Sequence, residues 1–362
     1  MEIRRLEEQD RTKAKELWEE VFAEDKGKFT DWFFDVRFRP ERCFGVFAED
    51  GLLLSMAHLA QVPICIRGRQ MPSNFFQGVA TRRSEEGKGY ASALQKFMLQ
   101  TLYEEGAEVA ALNTFIHPFY ERMGFATYAF KSEERVLASH VGDVEQYEYS
   151  ALVPLETLEA MTALYQEKMR EYNGWIVRDA AYFRTYLTDC LDISGCTLLI
   201  STLDGEFCGY AIVKEEDAVL RAVEAVYRAP EALEDFASAA GDRGLEAFCY
   251  PSFDTSRGTP GAMLRVVNVK KLADQLPLEE GECAFGIQDP VIKQNNATWH
   301  FFSQNGKVKA TPTRTDASIQ LTIGEFAKLA MGMDFVMSGI DASIHKVKRM
   351  FSRCKRGIFE QY

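Results

Sequence analysis

The sequence predicts an α+β protein with mixed sheets, organised as three successive segments. Three observations carry this expectation. Short strand-like runs alternate with amphipathic helical runs along the chain, and between residues 74 and 102 a strand enters a glycine loop that opens directly into a helix. Composition shifts near residues 150 and 262 mark two boundaries, giving segments 1–150, 151–262 and 263–362. A length of 362 residues suits two or three domains, each able to bury a core. With 46% hydrophobic and 27% charged residues, the composition is that of a folded globular chain.

In the first segment, Ala14, Leu17, Trp18, Val21 and Phe22 recur at helical spacing in RTKAKELWEEVF. CFGVFA, LLLSMAHLA and VPICIRG then read as successive short antiparallel strands with Gly51 and Gly68 at turns. SNFFQGVAT reads as a further strand, and the helix after it places Leu94, Phe97, Met98 and Leu102 on one face. EVAALNTF is a strand and HPFYERMGF a short helix. After an acidic passage from Gly142 to Tyr149, Pro154 opens a second unit: helices to Tyr186, strands CTLLIS, FCGYAIV and VLRAVEAV, a helix near APEALEDFASAA and the strand LEAFCY. Its element order partly echoes the first. The Gly/Pro/Ser/Thr-rich stretch PSFDTSRGTPGAM leads into MLRVVNVKKLADQL, CAFGIQDP and TWHFFSQ. Asn305-Gly306 is a hairpin signal before VKATPT and SIQLTIGEFAKLAMG, and SIHKVKRMFSRC reads as a packed helix with a solvated basic face.

The net charge of -12, from 42 basic and 54 acidic side chains, opposes nucleic acid and anionic membrane surfaces and suits a cationic partner. MEIRRLEEQD lacks an apolar signal core, and no run of about 18 apolar residues occurs, so a cytoplasmic location is expected. Eight scattered cysteines show neither C-x-x-C nor H-x-x-x-H spacing, so reduced buried thiols and no metal are expected.

GVATRRSEEGKGYASALQKFM carries the chemistry. Gly87 and Gly89 let the backbone turn sharply, and the free N–H groups of the following helical turn point at an anion. Taken alone, this loop reads equally well as a structural turn. About 30 residues later comes HPFYERMGF. Together, GVATRRSEEGKGYA and FYERMGF resemble the acetyl-CoA loop and catalytic-tyrosine segment of the GCN5-related N-acetyltransferase (GNAT) family. The resemblance implies that the strand at Gly78, Val79 and Ala80 pairs with the pantetheine arm of acetyl-CoA. It also implies that the loop of Glu85, Glu86, Gly87, Lys88, Gly89 and Tyr90 binds the pyrophosphate, and that Tyr120 of the Tyr-x-x-x-Gly-Phe pattern is the general acid. Ser84 and Glu86 depart from the Gln/Arg and Arg the family carries, with Arg82, Arg83 and Lys88 as nearby compensating cations.

Across all three segments the chain resembles the enhanced-intracellular-survival (Eis) type of aminoglycoside acetyltransferase. That resemblance implies a catalytic GNAT domain, a degenerate second GNAT-like domain with Tyr227-Arg228-Ala229-Pro230 in place of the glycine loop, and a sterol-carrier-protein-like domain. It further implies a homo-oligomer, with a hexamer expected, and a general base formed by the terminal carboxylate of Tyr362. The expected acceptor is a primary amine of a cationic small molecule, aminoglycoside- or polyamine-like; a non-catalytic ligand- or lipid-binding protein is the rival reading. His117 reads as a cap or a proton relay, and Trp18, Trp32, Phe33 and Phe34 as core or acceptor-pocket lining. His58, His140, His300 and His345 show no partner pattern.

Overall fold

The structure, a computed structural model, describes residues 1–253 and 258–359. Contacts divide it into two units: residues 1–129, 173–176 and 261–362 form one, and residues 130–172 and 177–260 the other. In the first unit, β1 (Glu2–Arg5), β2 (Cys43–Phe47), β3 (Leu53–Ile66), β4 (Arg69–Thr81), β5 (Val109–Leu112) and β6 (Ala126–Thr127) lie in one sheet. The helices α1 (Arg11–Val21), α2 (Lys28–Trp32), α3 (Tyr90–Glu104) and α4 (His117–Glu121) connect them.

Two apolar clusters sandwich this sheet. One joins Leu17, Trp18, Phe33, Phe34 and Phe38 to Met56 and Ala80, and the other joins Leu94, Met98, Leu99 and Leu102 to Leu59, Phe76 and Leu112. Alternation along the strands separates the two sets, and the register shift at Met56/His58 puts Phe76 and Ala80 of β4 on opposite faces. LLLSMAHLA and VPICIRG form the single strand β3 rather than two. Pro63 inside it faces Pro72 of β4, so the two missing amide donors fall at one register position. Phe97, expected on the buried face of α3, is 40% exposed. The sheet-facing stripe runs instead through Leu94, Gln95, Met98, Leu99 and Leu102.

The expected boundaries differ from the division of contacts. The strand Phe130–Leu137 pairs with Ala247–Ser252, and Glu145–Tyr147 with Leu198–Ile200, so hydrogen bonding draws residues before 150 into the second unit. Met263–Val266 hydrogen bonds between β5 and β6, so a strand assigned by sequence to the third segment completes the first sheet. In the second unit, Val219–Tyr227, the helix Glu231–Asp242 and Ala247–Ser252 repeat the parallel strand–helix–strand order of β4, α3 and β5. The sterol-carrier-like portion is a four-stranded sheet flanked by the helices Val269–Gln275, Ile323–Ala330 and Asp341–Met350. Its hairpin turns at Asn305 and Gly306, both left-handed.

Candidate active site

The site begins where two parallel strands part. β4 pairs with β5 only from Ser73 to Phe76, opposite Val109 to Leu112, while β3 follows β4 as far as Thr81. Gln77 to Thr81 therefore present a backbone edge toward β5 that no strand covers among the described residues. A register shift against β3 at Met56/His58 bends β4 here, and Gly78 sits in it at φ +57°. A Cβ on Gly78 would lie 2.2 Å from the ring of Trp18, so only glycine fits both the backbone and the neighbour. Val79 is half-buried against the α3 side and Ala80 is buried on the α1 side.

The loop after β4 leads into α3. Gly87 and Gly89 are both left-handed, at φ +76° and +87°, and Gly89 caps the helix. Gly87 and the first-turn residues Tyr90, Ala91 and Ser92 have no backbone acceptor for their N–H groups among the described residues. Such amides, at the positive end of a 15-residue helix, form a cradle for a phosphate group. The compensating cations are largely committed elsewhere. Arg82 donates to Glu20 at 2.6 Å and to the Leu53 carbonyl at 2.8 Å, and Lys88 pairs with Glu85 at 3.0 Å. Glu20 also accepts from the Arg83 backbone at 2.9 Å, pinning the loop to α1. Only the exposed Arg83 side chain is left without a recorded ion pair among the described residues. Glu86 is exposed beside the glycines.

Tyr120 comes from α4 and is 8% exposed, packed with Phe125 and the α3 leucines. Burial pushes its phenol up to about 12, opposed by the neighbouring Gln95 amide. That amide stands close to the phenol yet outside hydrogen-bond geometry with any group among the described residues. His117 contacts the Gly261 carbonyl at 3.0 Å through Nε2 and thereby ties the start of α4 to the chain. The contact is a tie across 144 residues and not a helix cap, since no side chain caps the start of α4. Trp18, Phe33 and Phe34 are core, and Trp32 lies under the Arg37 guanidinium at 4.8 Å. Tyr362 lies outside the described residues. The chain leading to it is docked: Ile358 and Phe359 are buried, and the Gly357 N–H donates to the Asn173 carbonyl at 3.2 Å.

Two polar side chains beside this region had no sequence pattern. Asp25 accepts from Trp18 Nε1 at 3.1 Å, and burial raises its carboxyl above the usual range. His58 is buried between Phe33 and Phe38, opposite Gln77. The Arg39 N–H donates to Nε2 at 3.3 Å, and Nε2 of the Gln77 carboxamide lies 2.6 Å from Nδ1. Burial first, then Arg42, Arg39 and Arg37, hold His58 down to about 3. No group of three His, Cys, Asp or Glu side chains among the described residues is placed to hold a metal. No helix among them is long and apolar enough to cross a membrane.

Parted parallel strands, a glycine-capped helix with free amides and a tyrosine on the next helix thus lie in one unit of the fold. Residues 2–128 match the family model of the acetyltransferase (GNAT) domain, and residues 269–341 that of the sterol carrier protein domain. The chain thus carries an acetyltransferase (GNAT) domain in its first third and a sterol carrier protein domain near its end. It shares its fold over its full length with a GCN5-related N-acetyltransferase from Anabaena variabilis ATCC 29413, at TM-score 0.82 and 17% identity, with 100% of both chains covered. One from Kribbella flavida aligns at TM-score 0.78 and 16% identity, covering 100% of this chain and 98% of the other. Eis1 from Mycobacterium abscessus aligns at TM-score 0.75 and 15% identity, covering 100% of both chains. No curated protein matches the chain in sequence.

Proposed function

We propose that this protein transfers the acetyl group of acetyl-CoA directly to a primary amine of a cationic small molecule of aminoglycoside or polyamine type. The observation that carries the reading is the uncovered β4 edge beside Gly78 and Val79, continuous with the free amides before α3 and adjacent in fold order to Tyr120 on α4. A pantetheine amide completes such an edge as a strand would, and a pyrophosphate suits the helix amides.

An alkylammonium must lose a proton before it can attack. The Tyr362 carboxylate accepts that proton, and the amine nitrogen then bonds to the thioester carbonyl carbon. After the base has passed its first proton to solvent, collapse of the tetrahedral adduct breaks the C–S bond, the sulfur takes the Tyr120 hydroxyl proton, and the nitrogen releases its surplus proton to the base. Tyr120 regains a proton from solvent, so each turnover yields an amide, free CoA and one proton. The net charge of -12 raises the local concentration of cations, and Asp25 offers a carboxylate near the strand bend. The buried Ile358 and Phe359 support a terminus that is held in place. The likeness to the Eis type further supports a homo-oligomer, of which a hexamer is the expected form.

The lipid-carrier alternative finds little support. Phe285, Phe301, Phe326 and Phe351 fill the interior of the sterol-carrier-like sheet, with ring centroids 4.6 to 6.2 Å apart. The deciding measurement is free CoA released from acetyl-CoA with a panel of amines. Tyr120→Phe is expected to lower kcat about 10²–10⁴-fold with acetyl-CoA binding retained. Undiminished kcat in that variant removes Tyr120 from the mechanism, and no release with any amine removes the transferase reading.

A further inference from the structure

Gln95 has no explanation in the packing around it. It sits on α3 at 0% exposure, within the stripe of Leu94, Met98, Leu99 and Leu102, where a Leu or Met would fill the space at no polar cost. Neither Nε2 nor Oε1 has a hydrogen-bond partner among the described residues. An amide buried in that condition opposes folding, and folded proteins leave few of them unpaired. The polar group nearest in role is the Tyr120 phenol, which packs into the same cluster and on which the Gln95 amide bears. Burial raises this phenol and the Gln95 amide is the group that opposes the rise.

We propose that Gln95 is a positioning residue for Tyr120: with CoA in the cleft its Nε2–H donates to the phenolic oxygen and leaves the phenolic O–H aimed at the departing sulfur. The proposal rests on Tyr120 as the general acid. A phenol surrounded only by apolar groups is a poor proton donor, because the phenolate has nothing to stabilise it. One N–H donated to the oxygen supplies that stabilisation and fixes the rotation of the hydroxyl, while the Gln95 oxygen remains available to the pantetheine side. Nothing is transferred to Gln95 itself.

The test uses the full chain saturated with CoA, with 3-fluorotyrosine at position 120 to bring the phenol titration into a range where the protein stays folded. Gln95→Met removes the amide at nearly constant volume. It is expected to raise the midpoint of the position-120 fluorine titration and to lower kcat about 3- to 10-fold with KM for acetyl-CoA unchanged. It should also have no further effect on kcat in a Tyr120→Phe background. Gln95→Asn, which keeps an amide too short to reach, is expected to behave like Gln95→Met and covers the case in which the latter fails to fold. An unmoved fluorine titration, an equal loss of kcat with and without the Tyr120 hydroxyl, or a loss confined to KM for acetyl-CoA overturns the proposal. If Tyr120→Phe alone retains full turnover, the general-acid reading falls, while the fluorine titration still reports whether Gln95 and Tyr120 are paired.

Discussion

Single side chains near the strand bend are tuned by burial more than by opposite charge. His58 shows it most directly. Its folded pKa of about 3 lies below the ordinary imidazole value, so the native state resists protonation that the unfolded chain accepts. The stability this contributes is fully present above the unfolded value near 6.5 and is lost progressively as pH falls from there toward 3. His58→Gln is therefore expected to flatten the fall of the urea midpoint between pH 6.5 and 4, and an unchanged slope would remove His58 as its origin. Tyr120, Gly78, Gly87 and Gly89 stood out as candidates in the sequence because each belongs to a short local motif. Those of Gln95, Asp25, His58 and Glu20 were not, because each depends on a partner brought from another strand or helix. Gln95 was hidden further by lying one position from Leu94 in a run that reads as an ordinary amphipathic helix.

At the level of elements, the loop and the first turn of α3 form one electrostatic device, and the acidic residues in it work against its ligand. Glu85 is neutralised by Lys88, and Arg82 is spent on Glu20, so on the proposed reading the exposed Glu86 would oppose a pyrophosphate at the loop. A carboxylate near a helix N-terminus helps the helix but competes with a bound phosphate for the same positive end. Glu86→Gln is expected to lower KM for acetyl-CoA about 2- to 5-fold at low salt, with kcat unchanged and the gain fading as ionic strength rises. A raised KM would mean that Glu86 supports the loop conformation instead. Sequence pattern located the helix and the loop, but not the destinations of the arginines: Arg82, five residues before Gly87, reads as a compensating cation until α1 is seen to claim it through Glu20. The expected break between LLLSMAHLA and VPICIRG is absent for a similar reason, since the continuous pairing with β4, Pro63 opposite Pro72 included, is visible only in the register.

For the first unit as a whole, the final segment of the chain is built into the structure by arginine side chains that collect backbone carbonyls. Arg67, at the β3–β4 turn, donates to Ala330 at 2.7 Å, Leu329 at 2.9 Å and Ser352 at 2.8 Å, closing the end of the helix Ile323–Ala330 and holding the chain after Met350. Arg356 donates to Tyr128 at 3.1 Å, Gly332 at 3.2 Å and Cys354 at 2.7 Å. Hydrogen bonds from a charged donor are worth about 1.5–3 kcal/mol each, more than a frayed segment would need. Such anchoring fixes direction, and it gives the Tyr362 proposal a sharp consequence. Appending a single glycine after Tyr362 moves the carboxylate by one residue, about 3.5 Å in an extended chain, while leaving Arg356, Ile358 and Phe359 in place. A base displaced by that distance no longer reaches the proton it must take, so kcat is expected to fall about 10²-fold or more with the melting temperature unchanged. Full activity in the extended protein would reject the terminal carboxylate as base and turn attention to Asp25. A parallel loss of kcat and melting temperature would show instead that the terminus serves the fold.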